Sequence, residues 1–313
     1  MSTPQVTFGV KTSQIGSTYA EIRKIWREVD RTEAFDHAWL WDHMLPLRGD
    51  VTQPALEAWT LLAALAAETE RIRLGVVVTS NRLRPPAVLA KMAATVDQIS
   101  AGRLVFGIGA GGHAVPDPAG MALVEREFGA YGIDVVSPRE AVDALGEAMA
   151  IIRRLWTESA PFDFAGKHYQ LKGAIGEPKP VQRPGPPVMM AGSGERSLRI
   201  AAEYADLWIW PGNLDEFRTK SRLLDEQCLV VGRDPAKITR SVQVLVRGGP
   251  AEAASTRELL DRFIEAGARH FILGLIPPYD GSPVEWLAQE IVHKVLAQID
   301  SRSVSKPGRR VPN

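Results

Sequence analysis

The chain has 313 residues, 45% of them apolar and 24% charged, proportions of a globular protein rather than a disordered one. Lys plus Arg number 37 and Asp plus Glu number 37, so there is no basic excess to suit a nucleic-acid partner, and the single cysteine, Cys228, excludes an intrachain disulfide or a thiolate metal cluster. The greasiest stretch, Trp59–Ala67, is far short of the roughly 20 residues of a membrane span, and the opening residues lack the basic-then-apolar pattern of a secretory signal, so a soluble cytoplasmic protein is expected.

Short apolar runs alternate with longer amphipathic ones. Val6–Val10 reads as a strand, followed by a helix over Thr18–Glu33, a strand over Ala38–Trp41 and a helix over Pro54–Glu68 with proline in its first turn. Arg71–Ser80 is β-branched and apolar, as suits a parallel strand covered on both faces. The next helix opens at Pro85–Pro86, and Leu89, Met92, Val96 and Ile99 fall on one predicted buried stripe. Leu104–Ile108 is a strand that ends in the glycine-rich run Gly107–Gly112.

Residues 113–187 form an enlarged connection: a loop, a helix over Pro138–Trp156, and a hairpin-like piece around Phe162–Tyr169. Alternation resumes with strands at Val188–Ala191, Asp206–Trp210, Thr239–Val246 and His270–Leu275. Helices follow them from Glu195, over Leu214–Val230, Ala253–Ala266 and Trp286–Ile299. Eight strand–helix units suit a closed (β/α)8 TIM barrel better than an open doubly wound sheet, in one domain spanning residues 1–300. The tail Ser301–Asn313 is expected to be mobile.

Active sites of such barrels lie where strands end and βα loops begin. Four segments there carry candidate chemistry. Asp42–His43 follows the second strand: an imidazole suits proton transfer near neutral pH and a carboxylate can fix its tautomer, though such a pair taken alone is more often a loop cap beside a surface histidine. Val77–Ser80 and Asn81 end the third strand. Thr79 and Ser80 offer hydroxyls there, while Val77 and Val78 on composition read as core strand. The run Gly107–Gly112 removes Cβ atoms, as a flat ligand would need. It is not a dinucleotide fingerprint, because it leads into Ala114–Pro118 rather than a helix. Ala191-Gly192-Ser193-Gly194 precedes a helix, either as an anion site with Arg196 or Arg199 adding charge, or as a tight turn capped by Ser193. The six histidines show no closely spaced pair and there is no HExxH, so no metal site is expected; the Gly-Ser-Gly is not a GxSxG elbow.

These segments, in this order, resemble the bacterial-luciferase-like flavin oxidoreductases over essentially Val6–Ile299. The most specific stretches are Phe35–His43 (FDHAWLWDH), Arg71–Gly75 through Ala101–Leu104 into the glycine run, Pro85–Lys91 before Asp97-Gln98, and Pro187–Asp206. The resemblance implies a (β/α)8 barrel with the enlarged connection at the substrate entrance. An Asp-His after the second strand resembles the branch that uses the deazaflavin coenzyme F420. Carried over, His43 and Asp42 would sit at the reactive edge of the ring. A non-prolyl cis peptide, placed at Val77–Val78, would support the ring from behind, Thr79 and Ser80 would reach its polar edge, and Gly107 and Gly109 would line it. Ala191, Gly192, Ser193 and Gly194 would hold the cofactor phosphate.

One departure matters: hexose-phosphate dehydrogenases of this branch carry a glutamate where this chain has Gly112 and then His113. That points away from a sugar phosphate and leaves acid–base work to His43 or an entrance residue such as Glu125 or Tyr131. Trp41, His113, Phe128 and Tyr131 are candidate walls of an aromatic substrate pocket, or plain packing. The reading is an oxidoreductase passing hydride between F420 and a small organic substrate, in a homodimer. Two alternatives are an FMN-dependent monooxygenase fed by a flavin reductase, and a non-catalytic flavin-binding barrel.

Overall fold

A computed structural model describes residues 5–47, 49–111, 118–247, 250–279 and 281–304. Its strands are β1 (Thr7–Lys11), β2 (His37–Leu40), β3 (Arg73–Val76) with its short continuation β4 (Thr79–Ser80), and β5 (Leu104–Gly109). After the hairpin β6 (Phe162–Ala165) and β7 (Gln170–Ala174) come β8 (Val188–Ala191), β9 (Leu207–Trp210), β10 (Thr239–Val246) and β11 (His270–Leu275). All pairings outside the hairpin are parallel. The order β3-β2-β1-β11-β10-β9-β8-β5-β4, closed by a β3–β5 pairing, makes the expected eight-position barrel with β4 extending the β3 position.

Helices ring the barrel: α1 (Tyr19–Arg31), α2 (Ala58–Glu68), α3 (Pro86–Ile99), α4 (Pro118–Ala130), α5 (Pro138–Thr157), α6 (Glu195–Tyr204), α7 (Leu214–Val230), α8 (Pro250–Glu265), α9 (Pro283–Leu287) and α10 (His293–Val304). A π-helical stretch, Ala288–Val292, joins the last two. Local chemistry explains the boundaries. Thr18 and Glu21 form a reciprocal capping box that starts α1. The expected start of α2 at Pro54 is corrected to Ala58. Glu57 accepts from the N–H groups of Trp59 and Thr60, while Ala55 is drawn into a bridge with Ile15. On α3 the buried face is Leu89, Ala90, Ala93, Ala94 and Val96, and Ile99 is exposed, so the predicted stripe is rotated by the alanines that pack closest. Helix α4 falls where sequence reading placed a loop, because its proline and two glycines mask it. Residues 301–304 close α10 instead of beginning a mobile tail; 305–313 lie outside the described residues.

Inside the barrel, small residues on neighbouring strands make room for large ones on β2. A Cβ on Gly9 would stand 1.7 Å from His37 Nδ1, and one on Gly75 2.6 Å from Trp39 Cζ3. Trp39 then packs with Val77, Val105, Met189, Ile209 and Ile272 as a dry interior layer. Below it, His37 and His270 stack at 3.9 Å, with Trp39 Nε1 donating to His37 Nδ1 at 2.6 Å and Ser241 Oγ 2.7 Å from His270 Nδ1. Burial holds both rings neutral, pushing His37 well below its ordinary pKa and His270 down to about 3. Among the described residues no helix is long and apolar enough to cross a membrane.

Candidate active site

The strands all run in one sense, so their carboxyl ends meet at one mouth, and the four candidate segments lie there on neighbouring strands. The Val77–Val78 peptide is cis, at the position the resemblance implies. Glycines of β5 accommodate this segment. A Cβ on Gly107 would stand 2.0 Å from the Val76 carbonyl oxygen, and one on Gly109 3.1 Å from Val78 Cγ2 and 3.7 Å from Ala191 Cβ. These two glycines let β5 approach the β3–β4 segment, whose Val77 and Val78 side chains turn into the barrel interior with Ala191.

The Asp42 carboxylate makes a bidentate pair with Arg84, 2.8 Å from Nη1 and 3.0 Å from Nη2, and accepts the Ser80 N–H at 3.0 Å. Glu57 takes the other side of the same guanidinium. Burial pushes the Asp42 carboxyl up, and Arg84 with the Ser80 N–H pulls it back. All its strong contacts go to Arg84 and Ser80, which tie the end of β2 to β4. Asp42 thus ties β2 to β4, and another carboxylate stands against the His43 ring.

That carboxylate is Glu127 of α4. Its Oε2 lies 3.1 Å from His43 Nδ1, and its Oε1 accepts the N–H groups of Met44 at 2.6 Å and Leu45 at 3.2 Å. Burial raises its pKa, but His43 and the two N–H groups outweigh that and hold it below the ordinary carboxylate value. An ionised carboxylate only accepts, so Nδ1 is the protonated nitrogen and Nε2 remains for a ligand. Glu125, the predicted entrance acid, is exposed two residues away. Tyr131 is half exposed and donates its hydroxyl to the Met44 carbonyl at 3.2 Å, and Phe128 is buried in packing. His113 and Gly112 lie outside the described residues.

Trp41 packs edge-on against His43 with centroids 5.2 Å apart, and its Nε1–H is buried without a partner. The Asn81 Oδ1 is likewise buried and unpaired. Thr79, by contrast, is buried, and its hydroxyl accepts from Trp59 Nε1 of α2 at 3.0 Å. Ser80 stays half-buried at the mouth. At β8, Gly194 is the N-cap of α6 with no side-chain cap, so the first N–H groups of the helix are uncapped and Ser193 does not cap them. Arg196 is turned to Asp143 at 2.7 Å, and Arg199 to Gln227 at 3.0 Å and Glu195 at 3.7 Å, so neither adds charge to that turn. The cis segment, the orphaned indole N–H and the uncapped helix start fit a flat ring with an anionic arm. A cavity of about 730 Å³ lies at the opposite end of the barrel, lined by His37, Arg73, Arg240 and His270 among others, away from these groups.

Lys11, at the end of β1, escaped sequence reading. It was legible as the one charged residue of an apolar strand, in alternation with the inward Gly9.

Solved structures with this fold include an F420-dependent secondary alcohol dehydrogenase in complex with an F420-acetone adduct. It is 19% identical, with a TM-score of 0.78, covering 94% of this chain and 99% of that one. The coenzyme F420 dependent tetrahydromethanopterin reductase from Methanopyrus kandleri is 18% identical, with a TM-score of 0.70, covering 93% and 99%. A riboflavin lyase with modified FMN is 17% identical, with a TM-score of 0.74, covering 99% and 94%. Among curated proteins, the phthiodiolone/phenolphthiodiolone dimycocerosates ketoreductase of Mycobacterium sp. (strain JLS) is 32% identical over 216 residues, 67% of this chain and 52% of that protein. The chain thus spans about half the length of the curated relatives it matches. The family model for luciferase-like monooxygenases matches residues 3–302, and on that match the chain belongs to the luciferase-like monooxygenase family.

Proposed function

We propose that the protein is an F420-dependent oxidoreductase that passes hydride between the deazaflavin and a small organic carbonyl or alcohol. The observation that carries this reading is His43 held at the strand mouth by the buried Glu127 carboxylate. When bound, the deazaflavin supplies a hydride donor or acceptor at a ring carbon. The protein supplies the rest. With Glu127 accepting from Nδ1, the neutral imidazole takes the hydroxyl proton of an alcohol at Nε2, and the imidazolium returns it to a carbonyl oxygen in reverse. Glu127 stabilises the imidazolium, and its two backbone N–H bonds keep it in place. Val77, Val78 and Ala191 give the ring an apolar wall, and the uncapped start of α6 suits its phosphate.

Replacing His43 with alanine should cut turnover by about 100-fold or more while changing the F420 dissociation constant little, because the residue moves a proton rather than holding the cofactor. Unchanged turnover would remove the proposed role. Oxygen-dependent turnover with reduced FMN, and none with F420, would replace this reading with the flavin monooxygenase.

A further inference from the structure

Three carboxylates at the mouth are paired: Asp42 and Glu57 share Arg84, and Glu127 has His43 and two N–H groups. Lys11 differs. It is 7% exposed, and its Nζ lies 4.8 Å from the centroid of the Trp41 ring. Among the described residues no carboxylate or hydrogen-bond acceptor stands against it. Burial alone pushes its pKa from 10.5 down to about 8.

Lys11 pairs in register with Gly274 of β11, and Gly274 with Leu245 of β10, so the three form one row across the mouth. Leu245 Cδ2 lies over Gly274, since a Cβ there would stand 2.8 Å from it and 3.7 Å from Lys11 Cε. Leu245 is 51% exposed and Ile276, just past β11, is 45% exposed. An unpaired cation at the floor and bare apolar side chains at the rim are complementary to an amphiphile.

We propose that Lys11 receives an anionic oxygen of the substrate, a carboxylate or an enolate, and that the exposed Leu245 and Ile276 side chains pack against its apolar chain. The inference rests on the oxidoreductase reading for what then happens to the molecule; the contact itself does not need it.

The test is calorimetric titration of the full chain at pH 7 with decanoate and with decan-1-ol, in the presence and absence of F420. Wild type should bind decanoate at least tenfold more tightly than the alcohol in one or both states. Lys11→Met should abolish that preference and leave decanol binding intact. Leu245→Asn, which removes an exposed apolar side chain but keeps the charge, should weaken both probes and preserve their ratio. No decanoate binding, equal affinities in wild type, or a preference that survives Lys11→Met would each overturn the proposal. A charge preference that disappears in Lys11→Met, in a protein that fails to bind F420, would overturn the cofactor reading and leave this one standing.

Discussion

The buried ammonium of Lys11 makes a prediction about stability that is independent of any ligand. A fall in pKa from 10.5 in the unfolded chain to about 8 in the fold means that keeping the group charged at pH 7 costs about 3 kcal/mol. Lys11→Met keeps a flexible stem of similar length over Trp41 and removes the charge. It also forfeits a cation–π contact of about 1 kcal/mol. The variant should therefore be more stable than wild type by about 2 kcal/mol at pH 7. The sign with pH follows from the depressed pKa of a cation. Below about pH 8 both wild-type states are protonated and the full penalty applies. As pH rises from there toward 10.5 the folded amine releases its proton first, and wild type gains stability relative to the variant. Urea titrations at pH 7, 8, 9 and 10, analysed by linear extrapolation, read this directly. A variant less stable than wild type at pH 7, or a difference that stays constant to pH 10, would refute the reasoning. A gain in stability coupled to loss of decanoate discrimination would mark Lys11 as a residue retained for binding at a cost in folding.

Glu127→Gln leaves two backbone N–H groups and the imidazole with a neutral partner. It should lower turnover about tenfold and cost about 1 to 3 kcal/mol, read by initial rates and urea midpoints. Gly107→Ala should destabilise by about 3 kcal/mol, because the new methyl has no space against the Val76 carbonyl; a thermal midpoint unchanged from wild type would contradict that packing. The neutral His37–His270 pair should make the fold acid-sensitive. Its contribution is complete above pH about 6.5 and declines as pH falls from there toward about 3, since the unfolded rings take up protons first. Replacing His270 with asparagine should flatten the acid limb of the thermal midpoint against pH.

The barrel was legible because parallel strands covered on both faces write themselves as apolar runs. Val188–Ala191, Thr239–Val246 and His270–Leu275 fall where periodicity puts them. The cis peptide at Val77–Val78 followed from the resemblance and not from any residue preference. Partner assignments were not legible. Asp42 is adjacent to His43 in sequence, yet its carboxylate points to Arg84, and the carboxylate on His43 comes from a helix that looked like a loop. Glu125 and Glu127 are indistinguishable by type, and only the helical phase of α4 turns one inward and leaves the other in solvent. The glycine run was found as a feature, but its function of admitting the β3–β4 segment depends on strand pairing across the barrel.

In the proposed site a deazaflavin would rest across the mouths of β2, β4 and β5 with its anionic arm at the start of α6. Titrating the full chain with F420 and separately with FMN, following fluorescence, measures it most directly. The account predicts saturable F420 binding at least tenfold tighter than FMN binding, weakened when Gly192 or Gly194 is replaced by aspartate to set a negative charge at the helix start. Tight FMN binding with no measurable affinity for F420 would contradict it.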